Sequence, residues 1–332
     1  MCVLVASIDT VLAAQCLKHK MARTPYSIKG YREVYERWRE TMLGYSRQNR
    51  WPLTYRDLYF PVAAQSRSGC GSAYPDFLAI VKGKAAPVRA WPWYAMVIQK
   101  QTENATRFCG GTLLSDEWIL TAAHCLTGKY LRLYIRLGTV RKIGGTDSFL
   151  VEREVAVAIS HQLYASKGWT YDIALLKLDT PVVFSSYIQP ACLPHHLTDL
   201  TSPFLDCYIA GYGLEQIKPE LYPRNLQELK VETMSYRECQ LYWKNGIVDH
   251  HICLRFSKRS GLCQGDSGGP LSCIGPGRAF IVAGVASWIW HGCSNKQPYP
   301  DVFVNTLNFK QWIKETIINQ TGQLPPILDT NP

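Results

Sequence analysis

Three short segments of the sequence hold the residue types that nucleophilic catalysis needs. A histidine lies in TAAHC (121–125), an aspartate begins DIALLKL (172–178), and a serine lies in GDSGGP (265–270). A serine hydroxyl becomes a good nucleophile only when a base takes its proton, and that base needs a third group to fix its tautomer. The surrounding glycines allow backbone N–H groups to turn towards a developing oxyanion. Together the segments contain what acyl transfer through serine requires.

Each of these segments is weak evidence on its own, because single histidines, strand-start aspartates and glycine turns usually have structural roles. Together, His124, Asp172 and Ser267 follow one another at separations of 48 and 95 residues. In this order the chain resembles the chymotrypsin/trypsin family of serine proteases. Additional motifs extend the resemblance over residues 80 to about 316: WPW (91–93), CGGTLL (109–114), CYIAGYG (207–213) and the Ser287-Trp288 pair.

The resemblance implies a role for each matching residue. Ser267 attacks the scissile carbonyl, His124 serves as general base and then general acid, and Asp172 orients the histidine. The backbone N–H groups of Gly265 and Ser267 form the oxyanion hole. The segment Ser287-Trp288 pairs with an extended substrate backbone.

The hydrophobic pattern from residue 80 onwards predicts an all-β domain. Short apolar or alternating runs such as YLRLYIRLG (130–138), FLVEREVAV (149–157) and AFIVAGVASW (279–288) are separated by Gly, Pro, Asn and Asp. Such runs are typical of a barrel or a sandwich. The family resemblance implies two antiparallel six-stranded β-barrels with a C-terminal helix, and LNFKQWIKETII (307–318) is the one segment of this domain with a helical pattern.

The residues before this domain divide into two parts. Residues 1–16 form a short apolar, signal-like segment, although Asp9 interrupts it and no basic residues precede it. Residues 17–79 are predicted to be a basic pro-segment ahead of a protease domain at 80–332. Residues 17–69 hold 11 Lys/Arg against 4 Asp/Glu, a surplus of seven, and 31–45 has the spacing of an amphipathic helix.

The positive charge leaves two interpretations of that pro-segment. Residues 17–69 could contact polyanions such as acidic glycans or membrane headgroups, or they could be a solvated and removable leader. The formal net charge of the whole chain is +10. No motif that reads bases is present, so nucleic acid is excluded as a partner.

The cysteines and sequons favour an oxidising, extracellular location. Twelve cysteines without CxxC or zinc-ligand spacing indicate disulfides, and no metal or other cofactor is implied. Asn104 and Asn319 begin glycosylation sequons. The family resemblance implies five bridges, which leave only Cys2 and Cys16 over: Cys70–Cys192, Cys109–Cys125, Cys207–Cys273, Cys239–Cys253 and Cys263–Cys293.

The sequence IVKG (80–83) stands where the family has its mature N-terminus. Cleavage between Ala79 and Ile80 is therefore expected to create an ammonium group that pairs with Asp266 and orders the oxyanion hole. The chain is thus predicted to be a zymogen. Ala79 departs from the Arg or Lys usual in the family, which leaves the activating protease open.

The residues around the predicted specificity pocket support two interpretations. Gly261 stands where trypsin-like enzymes carry an aspartate, while Leu262 and Ile289 flank the pocket and Asp301 lies at its back. Asp301 could attract a basic P1 side chain. Alternatively the two aliphatic residues screen it and leave a shallow pocket for Ala or Val. This combination resembles neutrophil elastase and its relatives, which favours the second interpretation.

The sequence therefore predicts a secreted serine endopeptidase that hydrolyses peptide bonds through an acyl-enzyme. Its expected partners are protein or peptide substrates and protease inhibitors. The alternative from a different class is a catalytically silent binding protein that uses the same scaffold.

Overall fold

The computed structural model describes the ranges 69–73, 84–87, 89–103, 105–139, 149–165, 169–195, 206–215, 220–255, 261–275, 279–289 and 299–329. The chain divides into two units, residues 1–62 and 63–332, and every described residue belongs to the second. The predictions for residues 1–68 and for the bond before Ile80 fall outside these ranges. Within the ranges, no helix is long and apolar enough to cross a membrane.

Antiparallel strands make up most of the described chain. In chain order they are β1 (Lys84–Ala85), β2 (Tyr94–Lys100), β3 (Thr106–Leu113), β4 (Trp118–Thr121), β5 (Arg132–Leu137), β6 (Val151–Ser160), β7 (Ala174–Leu178), β8 (Cys207–Gly211), β9 (Gln227–Met234), β10 (His251–Arg255), β11 (Pro270–Ile274), β12 (Phe280–Trp288) and β13 (Asp301–Asn305).

The strands close into two barrels. Strands β2-β3-β4-β7-β6-β5 form the first closed barrel. In the second, β9-β10-β13-β12-β11-β8 are neighbours, the β8–β9 pairing closes the ring, and β1 pairs with the outer edge of β9. The predicted fold, two antiparallel six-stranded β-barrels with a C-terminal helix, is confirmed.

Side-chain alternation explains the predicted strands of the first barrel. Along β6, VEREVAVAIS, half-buried and exposed residues alternate at every position. Along β5, Leu133, Ile135 and Leu137 are buried while the residues between them are not. Successive side chains of a strand point to opposite faces, so this pattern lines the barrel interior with aliphatic groups.

Two α-helices occur in the described ranges, and the sequence pattern indicated only one. Helix α2 (Thr306–Thr321) matches the predicted C-terminal helix and begins where the Asn305 side chain accepts a hydrogen bond from Leu307 N. Helix α1 (Tyr236–Trp243) was not predicted. Its signal is a capping box, in which Ser235 and Glu238 bond reciprocally to each other's backbone N–H.

Tryptophans join the two barrels. The Trp91 indole N–H donates to Glu228 Oε2 on β9 at 2.7 Å, and the Trp93 indole N–H donates to Ser272 Oγ on β11 at 3.0 Å. The rings of Trp91 and Trp93 also pack against Phe280, with centroids 5.5 and 5.2 Å away. Both tryptophans are buried, and the indole N–H, the only polar group of each side chain, is hydrogen-bonded across the barrel interface.

Four disulfides connect described cysteines, and each is a pair that the family resemblance implied: Cys70–Cys192, Cys109–Cys125, Cys207–Cys273 and Cys239–Cys253. Cys263 is also disulfide-bonded, with its partner outside the described residues. Around the first bridge, Gly71 N donates to Pro190 O at 2.8 Å and Phe280 N donates to Gly71 O at 2.9 Å. Residues 69–73 are thereby fixed to the second barrel.

Candidate active site

A histidine and an aspartate meet because two paired strands end beside each other. His124 lies in a 3₁₀ turn (Ala123–Leu126) just after β4, and Asp172 lies just before β7. Thr121 of β4 pairs with Ala174 of β7, which brings the two loop residues together. The His124 Nδ1 lies 2.7 Å from Asp172 Oδ2, and the His124 backbone N–H donates to Oδ1 at 2.8 Å.

Asp172 is fully buried and has a third donor. The Ser287 hydroxyl donates to Asp172 Oδ2 at 2.5 Å. A carboxylate held by several donors accepts but does not donate, so Nδ1 of His124 carries the ring proton. His124 Nε2 is then left as an acceptor, which is the form that a general base needs.

The serine turn is fixed to both barrels. Gly110 N on β3 donates to Ser267 O at 2.7 Å, and Gly268 N donates to Ala286 O at 2.7 Å. Gly268 has φ of 77°, and a Cβ there would lie 2.3 Å from Thr121 Oγ1. Only glycine allows this approach.

Cys125 connects the serine turn to the histidine. Its Sγ lies 3.9 Å from His124 Nε2 and 3.7 Å from the carbonyl oxygen of Ser267. The hydroxyl of Ser267 makes no hydrogen bond within the described part of the chain. Such bonds often tighten only when substrate is bound. Ser267 is half-buried and so remains accessible, and its turn is linked to the histidine through Cys125.

The residues before Ser267 shape its backbone. Gly265 has φ of 103°, a region that favours glycine. The Asp266 carboxylate accepts from Gly213 N at 2.7 Å and from Cys263 N at 3.0 Å. Its charge also reaches the buried Tyr94, where burial, and then Asp266, raise the pKa of the hydroxyl well above its ordinary value. Ala79 and Ile80 lie outside the described residues.

The predicted specificity residues lie together. Asp301 begins β13, is fully buried, and accepts a hydrogen bond from Leu262 N at 2.9 Å. Leu262 is 5% exposed, and Ile289 packs against the same apolar cluster. Gly261 precedes Leu262 with φ of 150°. The structure thus places two aliphatic side chains beside a carboxylate that is already hydrogen-bonded.

An aromatic cluster that the sequence analysis did not find lies next to Asp172. His161 stacks on Tyr171 with ring centroids 4.9 Å apart, and Tyr171 lies 4.9 Å from His250. Burial lowers the pKa of both histidines. The Trp169 ring lies edge-on to His124 at 5.1 Å. Spacing along the chain gave no sign of these contacts, because residues far apart in sequence make them.

His251 is a second residue near Asp172 to which the sequence analysis assigned no role. It opens β10 and is 6% exposed. Burial lowers its pKa to about 3.

Three remaining predicted positions differ in how much the structure shows of them. Asn319 is exposed on α2, where an attached glycan would meet solvent. Asn104 and Cys293 lie outside the described residues.

Comparison with known families agrees with the geometry. A protein-family model described as Trypsin matches residues 80–313, a span that contains every one of the charged and nucleophilic side chains above.

Proposed function

Because the chain belongs to the trypsin family of serine proteases, we propose that it is an active serine endopeptidase with Ser267, His124 and Asp172 as its catalytic triad. One observation carries the proposal. The buried Asp172 lies 2.7 Å from His124 Nδ1 and leaves Nε2 as an acceptor, and Cys125 Sγ lies 3.9 Å from that Nε2 and 3.7 Å from the Ser267 carbonyl oxygen. A silent scaffold has no need of this arrangement.

The proposed reaction proceeds in two stages. His124 Nε2 takes the Ser267 proton while Oγ attacks the scissile carbonyl, and the tetrahedral oxyanion receives the N–H groups of Gly265 and Ser267. The protonated His124 then gives its proton to the leaving amine, and an acyl-enzyme remains. Water attacks the acyl group with His124 again as base, which regenerates the serine. Asp172 stabilises the charged imidazole in both stages.

We assign a small aliphatic P1 side chain to the pocket. Two observations support this: Asp301 is fully buried and accepts Leu262 N, and the side chains of Leu262 and Ile289 share one apolar cluster. A basic P1 residue would have to displace part of that packing to reach the carboxylate. Apolar pockets distinguish one methylene by only about 1–3 kcal/mol, so the preference for Ala or Val is graded.

The proposal includes secretion and synthesis as a zymogen. Members of the trypsin family are typically secreted, and the four described disulfides are consistent with an oxidising compartment. In the active form, the ammonium group of Ile80 pairs with Asp266. Basic residues 17–69 are proposed to contact polyanions or to act only as a leader.

The test uses the full chain with an engineered cleavage site immediately before Ile80, and Ser267→Ala as its control. Peptide anilides that differ only at P1 (Ala, Val, Phe, Arg and Lys) are assayed after the new N-terminus has been verified. Hydrolysis that prefers Ala or Val supports both proposals. A preference for Arg or Lys supports the proposed endopeptidase activity but overturns the proposed preference for a small aliphatic P1 side chain. If no peptide is hydrolysed and a phosphonate does not label Ser267, the proposal of an active protease is overturned in favour of a catalytically silent binding protein.

A further inference from the structure

His251 touches the strand on which the substrate is expected to lie. Its ring meets Trp288 edge-on, with centroids 4.7 Å apart and planes at 88°. Trp288 follows Ser287, whose hydroxyl donates to Asp172. A change at His251 is therefore two contacts away from the catalytic carboxylate, although His251 is itself buried and away from solvent.

The hydrogen bonds of His251 fix its tautomer. Val248 N donates to Nδ1 at 3.2 Å, so the proton of the neutral ring is on Nε2. Nε2 is buried and makes no hydrogen bond of ordinary geometry within the described residues. A buried donor without a partner is costly, so it needs an explanation.

The Trp169 backbone acts on the His251 ring as a nearby acceptor does. Burial and His250 lower the pKa of His251, while Asp172, Asp249 and the Trp169 backbone act in the opposite direction, as nearby acceptors do. At a pKa of about 3 the ring stays neutral near pH 7. It therefore acts through its dipoles, with an acceptor at Nδ1 and a donor at Nε2.

The Trp169 segment needs external support. Trp169 and Tyr171 have φ of 54° and 58°, and bulky residues adopt this left-handed region only when their surroundings hold them there. Tyr171 packs on His250 at 4.9 Å. The His250-His251 pair thus lies against both strained residues, immediately before Asp172.

We propose that His251 is a positioning residue, which holds the Trp169 backbone through its Nε2–H and Trp288 through its ring. It thereby sets the separation of the two aromatic walls that receive the substrate residues preceding the scissile bond. This inference rests on the proposed function for its kinetic test. The exposed Trp169 ring beside His124 forms one wall, and the half-buried Trp288 ring forms the other.

The test compares His251→Leu, His251→Gln and His251→Asn in the full chain activated before Ile80. The glutamine amide reaches the position of Nε2, whereas the asparagine amide reaches only that of Nδ1. Each protein is assayed with a tetrapeptide anilide and with a single-residue anilide of the same P1. His251→Leu is expected to lower kcat/KM for the tetrapeptide about tenfold, mainly through KM, with little change for the short substrate. Glutamine restores the tetrapeptide activity and asparagine does not.

Parallel losses on both substrates, or equal behaviour of the glutamine and asparagine variants, overturn the proposal. Active-site titration with a phosphonate normalises every rate to folded enzyme. The same three substitutions in a Ser267→Ala background provide a second readout, the Kd of the unlabelled tetrapeptide from tryptophan fluorescence. If the parent enzyme proves inactive, the proposed function fails, but this binding series still tests the positioning role of His251. Weaker binding by His251→Leu and recovered binding by His251→Gln support that role. Unchanged binding refutes it.

Discussion

Asp172 and Asp301 are both fully buried, and their partners are of different kinds. Asp172 accepts from an imidazole and a hydroxyl, His124 and Ser287, besides the His124 backbone. One of the partners of Asp301 is the backbone amide of Leu262. Asp172 is therefore bonded to a group that can change its protonation state, whereas this contact of Asp301 stabilises a turn.

Burial alone therefore does not make a carboxylic acid catalytic. A buried carboxylate needs partners that offset its desolvation, and either set of donors can supply them. Catalysis depends on whether one of those donors also reaches the reacting atoms. In the proposed triad His124 does so, and Cys125 Sγ, which lies 3.9 Å from its Nε2 and 3.7 Å from the Ser267 carbonyl oxygen, links it to the serine turn.

The Asp172→Asn substitution tests the role that we assign to this carboxylate. The amide can no longer hold the Nδ1–H tautomer of His124, so we expect kcat to fall about 10⁴-fold with the fold retained. Kinetics on a Val anilide, together with circular dichroism, measure both quantities. A loss below about tenfold would show that His124 keeps its tautomer without Asp172.

A second prediction concerns the effect of the buried His251 on the free energy of unfolding at acidic pH. The folded pKa of His251 is about 3, whereas unfolded histidine titrates near about 6.5. Between these values the unfolded chain binds a proton that the folded chain does not, so stability falls as pH decreases from about 6.5 to about 3. At pH 4.5 the cost from this residue is about 2–3 kcal/mol.

Urea unfolding of the parent and of His251→Leu at pH 7.5 and pH 4.5 checks this cost. The variant should lose less free energy of unfolding on acidification than the parent does, whatever its stability at pH 7.5. Equal acid losses in the two proteins would mean that His251 is charged, or solvated, in the folded state.

The third prediction sharpens the role of the hydroxyl beside the triad. Ser287→Ala removes one donor from Asp172 but leaves both contacts with His124. We expect kcat to fall about tenfold, as for one lost hydrogen bond to a charged group. Ser287→Thr, which keeps the hydroxyl, is the control. The pH–rate profile should shift along with kcat, because the loss of the Ser287 donor changes how strongly Asp172 stabilises the protonated form of His124.

The smallest effect is expected at the other aspartate. Asp301→Asn retains an acceptor for Leu262 N, so kcat/KM for Ala and Val anilides should fall only about threefold. Hydrolysis of the Arg anilide should remain weak in both proteins. A large loss that is confined to Arg and Lys substrates would instead assign Asp301 to the recognition of a basic side chain.

Much of the fold was visible in the sequence because its signals are local. Alternating residues predicted β5 and β6, and the apolar run that became β12 was predicted to within a residue at its start. Helix α1 was missed since it is only eight residues long and most of them are exposed, although the Ser235–Glu238 capping box marked its beginning.

The site was predictable only where motifs identify it. The positions of Ser267, His124 and Asp172 followed from the family resemblance, but the contacts of His251 did not. One local signal was available: His251 and Cys253 share a face of β10, and a cysteine expected to be bridged indicates that this face is buried. One partner of Asp301 is a loop amide, and side-chain patterns do not report the direction of loop backbone.

The Cys70–Cys192 bridge has a consequence for the size and composition of the mature molecule. A cut before Ile80 would divide the chain between these two cysteines, so both pieces would travel as one particle until a reductant separates them. Mass spectrometry without reductant should then show only the small gain of one water, and with reductant two masses. A basic leader retained in this way would meet the protease domain at an effective concentration of the order of millimolar, whatever the dilution outside.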